Sequence, residues 1–414
     1  TSPALIGGGY SENTDNDILR YGSSDAFLPG SSIAGVLRSL CPDEVALFGG
    51  QDNISPLWVF DSALNNVTVI ELYGVALDRE NKVALEQKKY DYEAISTGAG
   101  FTIRLLLTIR KGDTSKDFEG LLKKIVGAIK SGNVAFGAKT RRGFGWVSCI
   151  SAVKREFDLS PGNAAALREW IGFDWENADG WSDAEGEDFS SLLETMTVKL
   201  ALSGSIMIQY RHNIYEDLGA NEKVPDYKHI SIGGKPVILG TSWAGAISSG
   251  LYRLLKPRYP GKIGSYLYDV FGYNPESGEN GTDDDMRVSQ ITFGASTLTA
   301  TNLTTDGYRS ITRVKIDRFS GGAADGALFC EKPWYGGETA LEMRYPANRD
   351  DDIKELLFLA FECIDKGIFQ VGGEGSIGRG FFKIMAINGN PPEAVLGNPK
   401  QALAEAIQRA GATE

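Results

Sequence analysis

The residues of this chain best suited to hold a phosphate are two glycine-punctuated helix starts and two glycine-rich turns that carry arginine. The helix starts read LPGSSIAGVLR, with Gly30, Ser31, Ser32 and Arg38, and ILGTSWAGAISS, with Thr241 and Ser242. Amides at a helix start lack intrahelical partners, and the helix dipole favours negative charge there. Arg38, one turn in, adds a bidentate donor, whereas Ser248 takes its place in the second segment. Ser31 or Ser32 could equally be a plain helix cap, with Gly35 allowing the helix close to a sheet. The turns read FGAKTRRGFG, with Arg141, Arg142 and Gly143, and GGEGSIGRGFF, with Arg379 and Gly380. Glycine lets backbone amides close on a phosphodiester, and Arg142 and Arg379 align as the matching cations.

A loop precedes each helix start, SENTDNDILRY in the first case and EKVPDYKHISI in the second. Aligning their apolar positions sets Asp15 opposite Asp226, 15 residues before Gly30 and 14 before Gly240. An exposed loop aspartate is often only a turn former, and Asp17 and Asp25 compete for any special role.

The elements that must position these residues also come in pairs. SPLWVFDS (Ser55–Ser62) answers SQITFGAS (Ser289–Ser296), and VALDR (Val75–Arg79) answers VKIDR (Val314–Arg318). A period of roughly 200 residues is too long for a solenoid and implies two copies of one domain. Phe118, Leu121, Leu122, Ile125, Val126 and Ile129 share one helical face, as do Ile353, Leu356, Leu357, Ala360, Phe361 and Ile364. Gly132 and Gly367 mark the ends of these helices. Strands interleaved with two helices in each copy predict an α+β chain of two tandem RRM-like, ferredoxin-like (βαββαβ) domains with inserted segments.

The expected boundaries are 1–157 for the first domain, 158–194 for an acidic connector, 195–390 for the second domain and 391–414 for a helical tail. SGSIMIQ of the second copy matches SPALIGG of the first, so the first copy lacks a counterpart of Thr195–Leu202, and its first strand is expected to be truncated. Trp170, Trp175 and Trp181 predict partial order in the connector.

Composition removes several function classes. Cys41, Cys149, Cys330 and Cys363 form no CxxC pair, and with only His212 and His229 a Cys/His zinc site is disfavoured. Free thiols and the lack of a signal pattern or a spanning apolar run point to a cytoplasmic chain without membrane contact. The net charge is −12, but eight acidic residues and no basic one lie between Glu169 and Asp188, and without them it would be −4. Lys123, Lys124, Lys130, Lys139, Arg141 and Arg142 supply basic clusters, so an RNA partner stays open.

The helix motif, the downstream FG, the VxxDR segment and the G-x-x-R-G-F turn together resemble the RAMP superfamily. More narrowly, the chain resembles backbone subunits of type III CRISPR effector complexes, and its tandem build is similar to the fused subunit of type III-D. The resemblance implies an RRM-like core with thumbs, placed at Ser62–Gly98 and Ser296–Gly336. Tyr90, Tyr92, Phe329, Trp334 and Tyr335 in those segments could stack on bases. The implied partners are a guide CRISPR RNA, a complementary target RNA and other RAMP subunits. The resemblance also assigns Mg²⁺- or Mn²⁺-dependent target cleavage to Asp15 and, by position, Asp226. The second copy replaces Pro29, Arg38 and Asp61 by Leu239, Ser248 and Ala295, so it could bind without cutting. Competing readings are a silent RNA-binding spacer, a guide-processing endoribonuclease using His212 or His229, and an unrelated metabolic enzyme on the same fold.

Overall fold

A computed structural model describes residues 2–8, 14–22, 25–41, 45–50, 54–78, 84–113, 117–177, 179–187, 193–210, 225–272, 287–398 and 400–410. His212 lies outside the described residues.

The second half holds a complete ferredoxin-like sheet. Its antiparallel strands stand in the spatial order Thr292–Phe293, Glu338–Pro346, Leu193–Ser203 and Phe381–Ile387. In Leu193–Ser203, alternation sends Met196, Val198, Leu200 and Leu202 to the buried face. Helices Gly240–Leu255 and Asp350–Asp365 cover that face through Trp243, Ile247, Leu356 and Phe361. Each such side chain contributes about 2 kcal/mol on burial. The terminal helix Gln401–Ala410 adds Leu403 and Ile407 to the same core.

The first half repeats these parts. Leu57–Val59 pairs with Leu105–Leu107, as Thr292–Phe293 pairs with Glu338–Pro346. Among the described residues no strand occupies the position of Leu193–Ser203. Helices Gly30–Leu40 and Phe118–Lys130 still gather a core around Ile33, Leu37, Leu121 and Ile125. Gly132 and Gly367 both take the left-handed conformation at their helix ends, at φ 71° and 70°.

A long hairpin rises from each half inside the two expected thumb segments. The first comprises Val69–Leu77 and Ala84–Ile95; the second comprises Ile311–Ile316 and Ala323–Lys332. At the second tip, Asp317 accepts the Phe319 and Ser320 amides, and the Phe319 ring stands fully exposed. The connector is ordered in its described part. Helix Ala164–Ile171 and a nest of Phe157, Trp170, Phe173, Trp175 and Trp181 pack together. Phe60 and Arg104 tie that nest to the first half through Trp175 and Glu176.

The halves meet through an apolar joint. Leu5, Leu72, Tyr92, Ala94 and Phe144 of the first pack with Ile230, Ile232, Val237 and Leu239 of the second. The first glycine turn presses on the second helix start: a Cβ on Gly143 would sit 2.4 Å from the Phe293 carbonyl oxygen, and one on Gly240 2.4 Å from that of Arg142. Arg142 donates to the Phe271 carbonyl at 3.1 Å, and Arg344 reaches back to the Gly132 carbonyl at 2.9 Å.

Hydrogen bonding corrects two alignments read from sequence. Gly145 donates to Pro3 and Gly380 to Ser205, while Ala138 donates to Leu5 and Gly373 to Met207. Pro3 therefore answers Ser205, one residue away from the register expected. In the turns, the left-handed residues Lys139 and Gly143 answer Glu374 and Gly378. Arg379 consequently takes the place of Phe144, and Arg142 that of Ile377. The two arginines lie near the same glycines and match in type, whereas backbone conformation sets the register.

Candidate nucleic-acid interface

The helix starts are built for close packing. The cap of Gly30–Leu40 is Pro29 rather than Ser31 or Ser32, which lie in the first turn with Arg38 beyond them, all exposed. Asp61 occupies the end instead: its carboxylate accepts the Gly30 amide at 2.6 Å and the Tyr21 hydroxyl. These bonds, the Gly30 amide foremost, hold the Asp61 carboxyl below its usual range. The close-approach glycine is Gly30, where a Cβ would stand 2.5 Å from the Val59 carbonyl oxygen; at Gly35 nothing lies within 4 Å. In the second half Gly240 faces the Arg142 carbonyl, leaving Thr241 and Ser242 half-buried beside the joint. Both predicted phosphate positions thus already face protein oxygens.

The turns contact the thumbs. In the first half the Lys139 ammonium lies 3.6 Å from the Tyr92 ring centre and 4.4 Å from that of Tyr90. Burial there lowers the ammonium to about 8. Glu374 replaces Lys139 in the second half, and Glu331 and Phe329 replace the tyrosines. Arg379, 4% exposed, pairs with Glu331 and Glu374, and Arg313 joins both acids at 3.3 Å. Its guanidinium is committed to holding the thumb, so the RNA-binding role expected of Arg379 is corrected to a structural one. Gly380 is a packing glycine, since a Cβ there would meet the Val371 carbonyl oxygen at 2.0 Å. Arg141 and Arg142 are half-buried in the joint, Arg141 reaching Thr292 at 3.4 Å, and Gly143 is buried under it.

The basic helix Phe118–Lys130 has a partner as well. The acidic connector crosses it so closely that a Cβ on Gly127 would overlap the Glu187 carbonyl. Lys123 pairs with Glu185 and Lys130 with Asp183, each at 3.2 Å.

The loop aspartates occupy equivalent places. Asp15 is exposed; its amide donates to Asp91 Oδ1 at 2.8 Å, and its Oδ2 accepts the Asp91 amide at 3.0 Å. Asp226 is exposed; its amide donates to the Cys330 carbonyl and its Oδ2 accepts the Cys330 amide, both at 2.7 Å. Asp91 and Cys330 lie at matching positions of the inner thumb strands. Asp17, the neighbouring competitor, is buried and accepts Thr14 Oγ1 at 2.6 Å, the behaviour of a turn former. Among the described residues, no three acidic, histidine or cysteine side chains converge to cage a metal. The exposed carboxylate of Asp15 suits a hydrated Mg²⁺, an ion that keeps several waters and is held through one or two carboxylates.

His229 is fully buried and its Nδ1 accepts the Ile208 amide at 3.0 Å. Burial lowers the imidazole to about 3, so it stays neutral and cannot act as an acid on external RNA near neutral pH. Of the aromatics singled out in the thumbs, Tyr92 and Trp334 are buried, whereas Tyr90 is exposed. Phe319 is the ring that sequence reasoning missed; its signal was an apolar residue inside the turn-forming run DRFSGG.

A family model described as the RAMP superfamily matches residues 1–148 and 226–383. The chain belongs to the RAMP superfamily. Among solved structures, one titled as the type III-B Cmr-beta bound to cognate target RNA is similar at 11% identity and a TM-score of 0.33, covering 47% of this RAMP chain and 60% of that one. No curated protein matches the chain. Among the described residues no helix is long and apolar enough to cross a membrane.

Proposed function

We propose that this RAMP protein is a backbone subunit of a type III CRISPR effector complex that holds guide RNA and cuts complementary target RNA with the help of a divalent metal ion. Asp15 carries the cut in the first half and Asp226 in the second. The observation that supports the reading best is the shared placement of these residues: two exposed carboxylates, each bonded to the inner strand of a projecting hairpin. RNA carries its own nucleophile, so a hairpin that splays a nucleotide brings a 2′-hydroxyl into line with its phosphorus. A carboxylate at that point can accept the hydroxyl proton as the 2′-oxygen bonds to phosphorus and the P–O5′ bond breaks, the departing 5′-oxygen taking a proton from water. A bound divalent cation would neutralise charge on the phosphate. Ser31, Ser32 and Arg38 remain exposed for backbone contacts to RNA.

Cleavage mapping tests the reading. With guide-loaded complex, end-labelled complementary RNA and Mg²⁺, Asp15→Ala is expected to erase one cut and Asp226→Ala another, with target binding intact and products ending in 2′,3′-cyclic phosphate. Unchanged cutting in both variants would make the chain a spacer. A second reading, in which only the first half cuts, draws on the contrast between Asp91 and Cys330: among the described residues a carboxylate side chain accepts the Asp15 amide, whereas a main-chain carbonyl accepts that of Asp226.

A further inference from the structure

We propose that Asp91 is a positioning residue for the first cut, its side chain tying Asp15 to the thumb, while the second half ties Asp226 through the main chain of Cys330. The proposal rests on the nuclease reading above. The tie in the first half is a closed ring of two bonds, Asp15 N–H to Asp91 Oδ1 and Asp91 N–H to Asp15 Oδ2. It fixes the backbone of the loop at Asp15 and one oxygen of its carboxylate. The other oxygen, Oδ1, takes no bond among the described residues and is left to face substrate.

A second side chain of the same strand completes the clamp. Glu93 Oε2 accepts the Ile18 amide at 3.0 Å and pairs with Arg20 at 2.8 Å, while the Glu93 amide donates to the Asn16 carbonyl at 3.0 Å. Asp91 and Glu93, two residues apart, project from the same face of the strand, and together they hold the loop from Asp15 to Arg20.

The second half reaches the same end differently. Cys330 uses its carbonyl where Asp91 uses a carboxylate. The following residues then continue as a parallel ladder, Tyr227 beside Glu331 and Lys228 beside Lys332. A main-chain tie survives substitution at its own position, and a side-chain tie does not. The two halves should therefore respond in opposite ways to equivalent mutations. The tie also couples the loop at Asp15 to the position of the thumb strand that carries Asp91.

The test uses the assembled, guide-loaded complex with Asp91→Ala, Asp91→Asn, Cys330→Ala and Asp15→Ala. Single-turnover cleavage, target affinity and hydrogen exchange of the segment 14–18 are read for each. Asp91→Ala is expected to slow the first cut on the order of 10- to 100-fold, the scale of a misplaced catalytic group. Target affinity should be unchanged and exchange of 14–18 faster. Asparagine keeps the acceptor for the Asp15 amide, so Asp91→Asn should recover both rate and protection. Cys330→Ala should leave the second cut as it is. The proposal is overturned if Asp91→Ala is silent while Asp15→Ala erases the cut, and equally if Asp91→Asn is as damaging as Asp91→Ala, because charge rather than placement would then be at work. If Asp15→Ala itself is silent, the nuclease reading has failed and removes the catalytic part of the proposal; unaltered exchange in Asp91→Ala separately overturns the tie.

Discussion

A carboxylate on an exposed loop keeps one position only when something holds it, and in both halves the inner thumb strand does so. His229 works in the opposite sense, as a group whose chemistry has been removed by burial. Its folded value of about 3 lies below the unfolded value of about 6.5, so the unfolded chain takes up the proton first as pH falls. The stability that depends on a neutral His229 is complete above about pH 6.5 and is lost as pH falls toward 3. Urea unfolding between pH 7 and 5 should give wild type a loss approaching about 1.4 kcal/mol per pH unit that His229→Asn lacks. Equal slopes in the two proteins would contradict this assignment. The equivalent placement of Asp15 and Asp226 was legible in sequence because flanking apolar residues fix their positions. Asp91 was not, since its partner is 76 residues away and nothing in its own neighbourhood marks it.

At the scale of elements, the same contact between glycine turn and thumb is made with different chemistry. Lys139 lies on tyrosine rings in one half, and an Arg379–Glu331–Glu374–Arg313 cluster does the job in the other. A mutation to alanine in the second cluster leaves buried charge unpaired and is the harsher of the two. Phe319 tips the second thumb with nothing packed on it, so Phe319→Ala should leave the melting temperature within a degree or so of wild type. The same substitution should weaken engagement of target RNA, measured by filter binding to the assembled complex; unchanged affinity would assign the ring no part in RNA contact. Helices and strands were readable because their periodicity is local. The register between the two turns was not, because a left-handed lysine and a left-handed glutamate look nothing alike in sequence.

At the scale of the whole molecule, charges that suggested RNA binding are largely spent within the protein. The connector answers Lys123 and Lys130, and the joint takes up Arg141 and Arg142. Net charge and charge clusters in a sequence are blind to such pairing. The joint itself is testable at Gly143, whose φ is 84° and whose Cβ would collide with the Phe293 carbonyl. Gly143→Ala should cost well over the roughly 1 kcal/mol of left-handed strain. Gly389→Ala, at φ 78° with nothing within 4 Å, should cost that strain alone. Thermal unfolding of the two variants separates collision from backbone strain, and equal shifts would mean that the joint yields.

The described connector packs on the first half, while the apolar joint is made by Leu5, Leu72, Phe144 and their partners across it. Covalent continuity and cohesion therefore reside in different places. The peptide link mainly keeps the halves at high effective concentration. A chain severed within the connector should stay together as a complemented pair of fragments, co-eluting as one particle, and it should come apart only when Gly143 is also changed.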